Sequence, residues 1–305
     1  MMPMMTTEIF GFTIFDLYFY FMIYSFLGWA LESAYVSASN KTWTNRGFIS
    51  GPLCSIYGTG ATLVIVALTP FKNNLLLMFL GGVFIATVVE YVIALLLEKI
   101  FHATWWDYSH MRFQLQGRIC LRRSLEWGAL TVVMMHLIQP PIQRFVAWIP
   151  RAGGEFVGVL LLMYLMADAS VTIMKIFQLK EKIARIEEAG LGLREKMETI
   201  NLFEAKKELL DYLEGLPIAE AMNNLKTRLE EQNGQLMKLR TEERLRFEFF
   251  LSEMKDKLEK RERILKKNTL TERRIAKAFP RLYFKNYNEA FATLKEELLK
   301  KKKNK

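Results

Sequence analysis

The feature that most constrains the fold is a series of apolar segments in the first 178 residues. A helix needs about 20 apolar residues to cross a hydrocarbon core of about 30 Å, and five segments reach or approach that length. The five segments run from about Gly11–Ala34, Leu53–Thr69, Asn74–Leu97, Leu125–Gln139 and Phe156–Phe177. Turn-forming residues predict the boundaries between them: Asn40 to Gly47, Pro70, Pro140–Pro141, and Pro150 with Gly153–Gly154. The predicted fold is all-α, a polytopic membrane helical bundle of about five spans.

The distribution of charge divides the chain in two. The whole chain has 42 Lys and Arg against 32 Asp and Glu, a net charge of +10. Residues 1–170 hold 10 basic and 9 acidic residues, whereas residues 171–305 hold 32 basic and 23 acidic ones. We therefore expect two domains: a transmembrane helical domain at 1–178 and a cytoplasmic, charged helical or coiled-coil tail at 179–305.

The tail has the pattern of several charged helices. The first, Lys180–Ala189, extends the fifth span and is expected to break at Gly190 and Gly192. The second covers Arg194–Glu214, and a long one runs from Ile218 to about Lys267. Two short helices are predicted around Phe279–Pro280, followed by a lysine-rich end.

The long tail helix repeats its apolar residues at intervals of 11, at Leu225, Leu236, Phe247 and Leu258. An 11-residue repeat favours a nearly straight coiled coil or a helical hairpin over a leucine zipper. Homo-oligomerisation through this tail is one consequence. The lysine run at the end favours an anionic lipid surface, since mixed charges and the lack of a nucleic-acid motif argue against specific nucleic-acid binding.

Basic residues in the short loops predict the orientation. With five spans and a cytoplasmic tail, the outer loops contain only Lys72, Arg144 and Arg151. The cytoplasmic loops then contain Lys41, Arg46, Lys99, Arg112, Arg118, Arg122 and Arg123. We therefore expect a multi-pass plasma-membrane protein with its N-terminus outside and its C-terminus cytoplasmic. The first segment lacks a basic n-region and a small-residue cleavage site, so we expect it to remain as a span.

Acidic residues in or beside the spans are the first candidate functional groups, because a charge within hydrocarbon costs about 2.5–3.5 kcal/mol even on insertion scales. These residues are Glu32, Glu90, Glu98, Glu126 and Asp168. One interpretation is a set of structural ion pairs with Arg118, Arg122 and Arg123. The other is a substrate or ion site. The sequence leaves both open.

Two loops carry the remaining candidates. The first, Asn45–Ala61, holds four glycines and a proline within 14 residues, which predicts either a tight helix-entry turn or a ligand-lining loop. It lacks the lysine of a phosphate-binding loop. The second, Thr104–Leu121, begins with Trp105 and Trp106, which an aromatic belt at the headgroups would explain. Such a belt does not explain Asp107 unless it has a cationic partner such as Arg118.

Several classes of function find no support in the sequence. The only cysteines, Cys54 and Cys120, have neither disulfide-framework nor zinc-ligand spacing, and we expect both to be reduced and buried. No motif of a serine hydrolase, zinc protease or P-loop ATPase is present. We therefore expect no metal, no cofactor and no enzymatic activity. A membrane-embedded enzyme using Glu90 or Asp107 as a base stands as a remote alternative.

Five motifs occur in a recognisable order: SFLGWALES at Ser25–Ser33, NRGFISGPLCSIYGTGA at Asn45–Ala61, LEK at Leu97–Lys99, WWDYS at Trp105–Ser109 and GRICL at Gly117–Leu121. Together they resemble the bacterial CmpB-like, type IV ABC-transporter family of integral membrane permeases over most of residues 15–178. The segment AFPRL…YNEA, Ala278 to Ala290, also resembles the end of that family. The chain departs from the family pattern at Ser55, Gln114, Gln116 and Glu126.

The resemblance implies a permease subunit without an ATPase of its own, so that a separate ATPase subunit would dock on the inner loops. The hypothesis is therefore an ABC-transporter-like membrane subunit in the lipid bilayer, with an unspecified substrate. The alternative is a non-transporting scaffold whose tail recruits partners. The predicted binding or coupling residues on the inner face are Glu32, Asn45, Arg46, Glu90, Trp106, Asp107, Tyr108 and Arg118. The predicted structural or pathway residues are Glu98, Glu126 and Asp168.

Overall fold

The computed structural model describes residues 8–198 and 241–299, and these are mostly helical with a few two-residue strands. Three stretches of helix are long and apolar enough to cross a membrane: Ile14–Asn40, Leu75–Phe101 and Arg151–Ala189. They correspond to the first, third and fifth predicted spans. The second and fourth apolar segments also form helices, but a shorter one and an irregular one. The predicted helical membrane class is confirmed, and these three helices are candidate membrane spans by length and composition.

The first span, helix α1 (Ile14–Asn40), has well-defined ends. A short hairpin of β1 (Glu8–Ile9) and β2 (Phe12–Thr13) precedes it. Thr13 then forms a capping box with Asp16: its hydroxyl accepts from the Asp16 backbone N–H, and its own N–H donates to the Asp16 carboxylate, each at 3.2 Å. The helix ends where Lys41 adopts a left-handed φ of 50°.

The next two helices are separated by the predicted turn at Pro70. Helix α2 (Ser55–Leu68) continues into one turn of 3₁₀ helix, Thr69–Phe71, and this run is only about 25 Å long at 1.5 Å per residue. Helix α3 (Leu75–Phe101) begins where the Asn74 side chain accepts a hydrogen bond from the Leu77 N–H at 3.0 Å. It ends at His102, which also has a left-handed φ, of 56°.

The fourth apolar segment runs straight through the predicted boundary at Pro140–Pro141. Helix α4 (Leu121–Val133) passes into a π-helical turn, Met134–Ile138, and then into α5 (Gln139–Trp148). The boundary prediction was wrong because both prolines lie in the first turn of α5, where a missing N–H is tolerated. The π-helical turn accommodates the change of hydrogen-bond register.

Helix α6 (Arg151–Glu198) begins directly after Pro150, as predicted. The predicted break at Gly190 and Gly192 was wrong, since the backbone remains helical through both. A glycine costs only about 1 kcal/mol in a helix, which a long helix tolerates. Residues 199–240, and with them most of the predicted helices Arg194–Glu214 and Ile218–Lys267, lie outside the described residues.

Three helices follow in the described tail: α7 (Thr241–Lys266), α8 (Leu270–Ala278) and α9 (Asn288–Leu299). The end of α7 and the two short helices around Phe279–Pro280 confirm those predictions. The remaining strands are β3 (Ala103–Thr104), β4 (Gln114–Leu115), β5 (Ile119–Cys120) and β6 (Tyr283–Phe284).

The chain forms two compact units. The first contains Met1–Gln178 and Leu270–Asn286. In it, α1 packs on α2, α2 on α3, and α3 on α4. Glycine allows the close approach of α3 and α4, because a Cβ on Gly82 would overlap the Thr131 side chain. The core of this bundle consists of Phe15, Phe19, Tyr20, Tyr24, Ala61, Val64, Ile65, Leu68, Met78, Met134 and Val146.

The second unit contains Leu179–Thr269 and Tyr287–Lys305. Its described part includes contacts between α7 and α9 and a hydrogen bond of 2.7 Å from Lys182 Nζ to the Lys267 carbonyl. Its buried apolar residues are Leu179, Ile183, Ile186, Ala290, Phe291, Leu294 and Leu298. Leu225 and Leu236 of the 11-residue repeat lie outside the described residues, so the coiled coil stays a prediction.

Candidate functional site

The first candidate loop follows α1 and is held by Asn45. The Asn45 Oδ1 accepts from Trp29 Nε1 and from the Gly47 N–H, both at 2.9 Å. Its Nδ2 donates to the Ser50 carbonyl at 2.7 Å. All three bonds lie within the loop or join it to α1. Asn45 therefore fixes the shape of the loop, which favours a structural role over direct ligand contact.

Arg46 forms an ion pair with Glu32. Its Nη2 and Nε lie 2.7 and 3.1 Å from the same carboxylate oxygen, Glu32 Oε1. Both side chains are about one-fifth exposed. The guanidinium also lies 5.1 Å from the centre of the Phe279 ring, a cation–π distance. The charges of Glu32 and Arg46, both predicted as inner-face residues, therefore compensate each other within the protein.

Asp168 of α6 binds the backbone of the same loop. Its two carboxylate oxygens accept from the Ser50 N–H at 3.1 Å and from the Gly51 N–H at 2.6 Å. A carboxylate that satisfies two loop amides is well compensated. Glycine at position 51 leaves room for this contact, since a Cβ there would overlap the Tyr164 hydroxyl. Asp168 thus binds the backbone of the glycine-rich loop, and its structural or pathway role stays a prediction.

Arg274 of α8 holds the loop from a distant part of the chain. Its Nη1 donates to the carbonyls of Gly47 at 2.6 Å and Ile49 at 3.0 Å, and its Nη2 to that of Phe48 at 3.0 Å. Burial lowers the pKa of this guanidinium from its ordinary value, and the charge of Asp168 acts in the opposite direction. Arg274 was not among the predicted site residues.

The second candidate loop, between α3 and α4, is folded on itself. Trp106 Nε1 donates to the Arg118 carbonyl at 2.9 Å, and the Tyr108 N–H donates to the Gly117 carbonyl at 2.8 Å. Antiparallel pairing of β4 with β5 closes its tip, and β3 pairs with β6. These bonds give Trp106 a structural role in addition to any contact with headgroups.

Asp107 does not bind the predicted partner, Arg118. Its carboxylate accepts from the Ser109 N–H at 2.8 Å and the Ser109 hydroxyl at 2.9 Å, which is a local turn. Its backbone carbonyl accepts from Arg281 Nη1 at 3.1 Å. The suggestion of a pair with Arg118 was wrong because the short Asp side chain is satisfied two residues along its own loop.

Arg118 instead binds Glu98 at the end of α3. Its Nη2 and Nε lie 2.6 and 2.8 Å from Glu98 Oε2. Lys285 pairs with the other oxygen of the same carboxylate. Both Arg118 and Glu98 are nearly buried, with 15% and 12% of their side-chain surface exposed. Two cations thus share one carboxylate and join the second loop to the Leu270–Asn286 segment.

Trp105 is buried, with 5% of its surface exposed. It packs against Phe48, Phe101 and Phe279, with ring centres 5.2, 6.0 and 4.8 Å away. The interpretation of Trp105 as an exposed interfacial anchor was therefore wrong. Its ring connects the first loop, α3 and the segment after α8 in one aromatic cluster.

Glu90 differs from the other predicted carboxylates. It is 7% exposed in the middle of α3, and its Oε1 accepts a hydrogen bond of 3.0 Å from the Tyr108 hydroxyl. Its Oε2 is buried without a hydrogen-bond partner. Burial and the nearby Glu90 charge raise the pKa of Tyr108, so this hydroxyl remains a donor at neutral pH. Glu90 also lines a cavity of about 160 Å³ among the first four helices.

Glu126 lies on the surface of α4. It pairs with Arg122 at 3.1 Å and Arg123 at 2.5 Å, and 44% of its side chain is exposed. Exposed pairs of this kind contribute about 0.2–1 kcal/mol to stability. The described contacts thus divide the predicted residues into a pair at Glu32 and Arg46, a network at Glu98 and Arg118, and the buried Glu90.

Sequence reasoning missed Arg274, Lys285 and the aromatic cavity residues Tyr57 and Trp127. The resemblance of the Ala278–Ala290 segment was the one signal that pointed to the region of Lys285. Within residues 8–198 and 241–299, no group of three or more His, Cys, Asp or Glu side chains could hold a metal ion.

Comparison with known proteins gives a family assignment. The sequence profile of the family "Putative ABC-transporter type IV" matches residues 19–173, which is just over half of the chain. No curated protein and no solved structure matches. The matched region contains α1 from residue 19 onward, α2 to α5, α6 up to residue 173, and both candidate loops. The chain belongs to the putative ABC-transporter type IV family.

Proposed function

We propose that this protein is the membrane subunit of an ABC-type transporter in the bacterial plasma membrane, powered by a separate ATPase subunit. Five spans cross the bilayer, with the N-terminus outside and the C-terminus cytoplasmic. The family assignment supports a transporter component. The lack of a P-loop motif in the chain requires that any ATP hydrolysis come from a partner.

The observation that carries the proposal is the way in which the two loops are fixed. Arg274 donates to three consecutive carbonyls of the first loop, and Asp168 accepts from the next two amides. Glu98 holds the second loop through Arg118 and the Leu270–Asn286 segment through Lys285. We call these two loops with that segment the loop platform. A rigid surface at the ends of the spans is suited to transmit force from a docked ATPase.

The proposal is tested by isolating the complex from its native membrane. The full-length protein, tagged at its C-terminus and crosslinked in membranes, should co-purify with an ATPase subunit. The Lys277→Glu variant should recover less of it, because Lys277 lies on the platform and, among the described residues, its ammonium donates to the backbone carbonyl of Trp43. Recovery of no ATPase, together with unchanged solute uptake in a deletion strain, would overturn the proposal.

A matched control separates loss of docking from loss of folding. Arg263 lies on α7 in the second unit, and its side chain is 77% exposed, so Arg263→Glu makes the same charge change at a residue that is not part of the platform. This variant should recover the ATPase as the unmodified protein does. Equal losses in both variants would indicate a general effect of charge and would count against platform docking.

The second candidate function is a non-transporting scaffold, favoured by the charged helices of the second unit. Removing residues 180–305 would not distinguish the two functions, because that deletion also removes Arg274 and Lys285 from the platform. Replacing residues 190–260 by a flexible linker distinguishes the two functions better than the deletion, since it keeps the contacts of Lys182 with Lys267 and Asn268. A scaffold should lose its phenotype in that variant and keep it in Glu90→Gln, whereas the transporter should show the reverse.

A further inference from the structure

The cavity beside Glu90 is the feature that the loop platform does not explain. It has a volume of about 160 Å³ and lies among α1, α2, α3 and α4. An engineered apolar cavity of about 150 Å³ in another protein holds one benzene molecule. The cavity is therefore large enough for a ligand with one ring or a short branched chain.

The wall of this cavity contains a single charged residue, Glu90, among otherwise apolar, aromatic or small residues. Tyr108 satisfies Glu90 Oε1, and the Trp127 side chain also interacts with the carboxylate, but Oε2 is buried without a hydrogen-bond partner among the described residues. The charge of Arg123 also acts on Glu90, but its guanidinium is paired with Glu126 at 2.5 Å. A carboxylate in apolar surroundings is costly unless a cation or a proton compensates it. The cavity thus presents a buried acceptor that either a proton or a cationic donor from a ligand would compensate.

Aromatic rings stand beside this acceptor. Tyr57 of α2 and Trp127 of α4 both line the cavity, with ring centres 5.5 Å apart and planes at 73°. Trp and Tyr faces attract cations, most strongly where water is excluded. A carboxylate and two aromatic rings around a small apolar space are complementary to an ammonium group attached to an apolar body.

The irregular part of the fourth helix also faces this space. Met134 and Ile138, the first and last residues of the π-helical turn, line the cavity. Such turns are rare and are found frequently at functional sites. Gly60 of α2 also lines the cavity and leaves room, since a Cβ there would meet no atom within 4 Å.

We propose that this cavity binds a small organic ammonium ion, with its N–H donating to Glu90 Oε2 and its apolar body packed against Tyr57 and Trp127. The inference that such an ammonium ion is the substrate of a transporter rests on the function proposed above. The inference that the cavity binds an ammonium ion is tested by binding measurements alone. Recovery of an ATPase without ammonium binding would overturn this site only, and binding without an ATPase would leave the site standing while the transporter role fell.

The test uses the purified full-length protein in nanodiscs of zwitterionic lipid, titrated with three probes of equal size and different charge. Benzylammonium is the cation, benzyl alcohol the neutral isostere and benzoate the anion, and protein-free nanodiscs correct for partition into lipid. Calorimetry and tryptophan fluorescence should show saturable binding of benzylammonium, at least about tenfold tighter than binding of benzyl alcohol. Equal binding of all three probes, or saturable binding of none, would overturn the proposal.

Two variants locate the site. Glu90→Gln should weaken benzylammonium binding by about tenfold or more and change benzyl alcohol binding by less than about threefold. Gly60→Leu should weaken both probes because its side chain fills the cavity. Gly153→Leu is the matched control, since a Cβ at Gly153 also meets no atom within 4 Å and Gly153 is not a lining residue of this cavity. Unchanged benzylammonium binding in either Glu90→Gln or Gly60→Leu would refute the site.

Discussion

Arg274 Nη1 lies 2.6 Å from the carbonyl oxygen of Gly47, although 227 positions separate the two residues in the sequence. The same guanidinium also binds the carbonyls of Phe48 and Ile49. A segment near the end of the chain is therefore part of the compact unit that contains the membrane helices. The hydrogen bonds from Arg274 therefore hold the glycine-rich loop in a fixed conformation.

Replacing Arg274 with Gln should destabilise the first unit by roughly 2–4 kcal/mol, because buried carbonyls lose their charged donors. Thermal unfolding in detergent, followed by tryptophan fluorescence, measures the loss. Cys54, which is 7% exposed, should also react faster with a maleimide in this variant, because the loop that contains it loosens. Arg273→Gln, at the exposed neighbouring position, should change neither property by much. Equal effects of the two substitutions would contradict the assigned role.

Glu98→Gln should lower stability by about 2 kcal/mol, since one nearly buried carboxylate serves both Arg118 and Lys285. Combining it with Lys285→Met should cost clearly less than the sum of the single effects, as expected for residues that share an interaction. Glu126→Gln is the control, because Glu126 also pairs with two arginines but is 44% exposed and should cost less than about 1 kcal/mol. A fully additive double variant would argue against the shared network.

Gly51→Ala should destabilise the first loop, because the new Cβ would overlap the hydroxyl of Tyr164 and crowd Asp168. The expected loss is about 1–3 kcal/mol, the range for overpacking. Tyr164→Phe removes the overlapping hydroxyl, so the double variant should recover part of the loss in thermal unfolding. Gly153→Ala has open space around its Cβ and should be neutral or slightly stabilising. Absence of any recovery would indicate that Tyr164 is not the cause.

The sequence predicted the apolar helices well because burial in lipid leaves long uninterrupted runs of apolar residues. The prediction failed at Pro140 and Gly190, where the helix-breaking tendency of the residue was too weak to interrupt the surrounding helix. It also failed at Trp105, since an interfacial tryptophan and a buried one are identical in sequence. Arg274 could not be found because nothing in the local sequence shows that the chain returns to its first unit, and for Lys285 the resemblance of the Ala278–Ala290 segment pointed only to the region. Glu90 was found because a charge inside an apolar run is visible without any knowledge of contacts.

The proposed topology can be tested by the accessibility of introduced cysteines, because both native cysteines are buried, with 7% and 1% of their surface exposed. A cysteine in place of Lys72, in the exposed turn after α2, should react with a membrane-impermeant maleimide in intact cells. One in place of His110, exposed in the second loop, should react only after permeabilisation. Labelling of His110→Cys in intact cells would reverse the proposed orientation.

Tyr108→Phe probes the hydrogen bond that holds Glu90. Its hydroxyl donates to Glu90 Oε1 at 3.0 Å, so its removal takes this donor from Oε1 beside an Oε2 that already has no hydrogen-bond partner among the described residues. We expect a loss of about 1–3 kcal/mol in thermal unfolding, the usual cost of a buried unsatisfied group. The same substitution in a Glu90→Gln background should cost clearly less, because a neutral amide needs the donor less than a charged carboxylate does. If Tyr108→Phe costs the same in both backgrounds, the hydroxyl does not serve Glu90, and its contribution is one of packing.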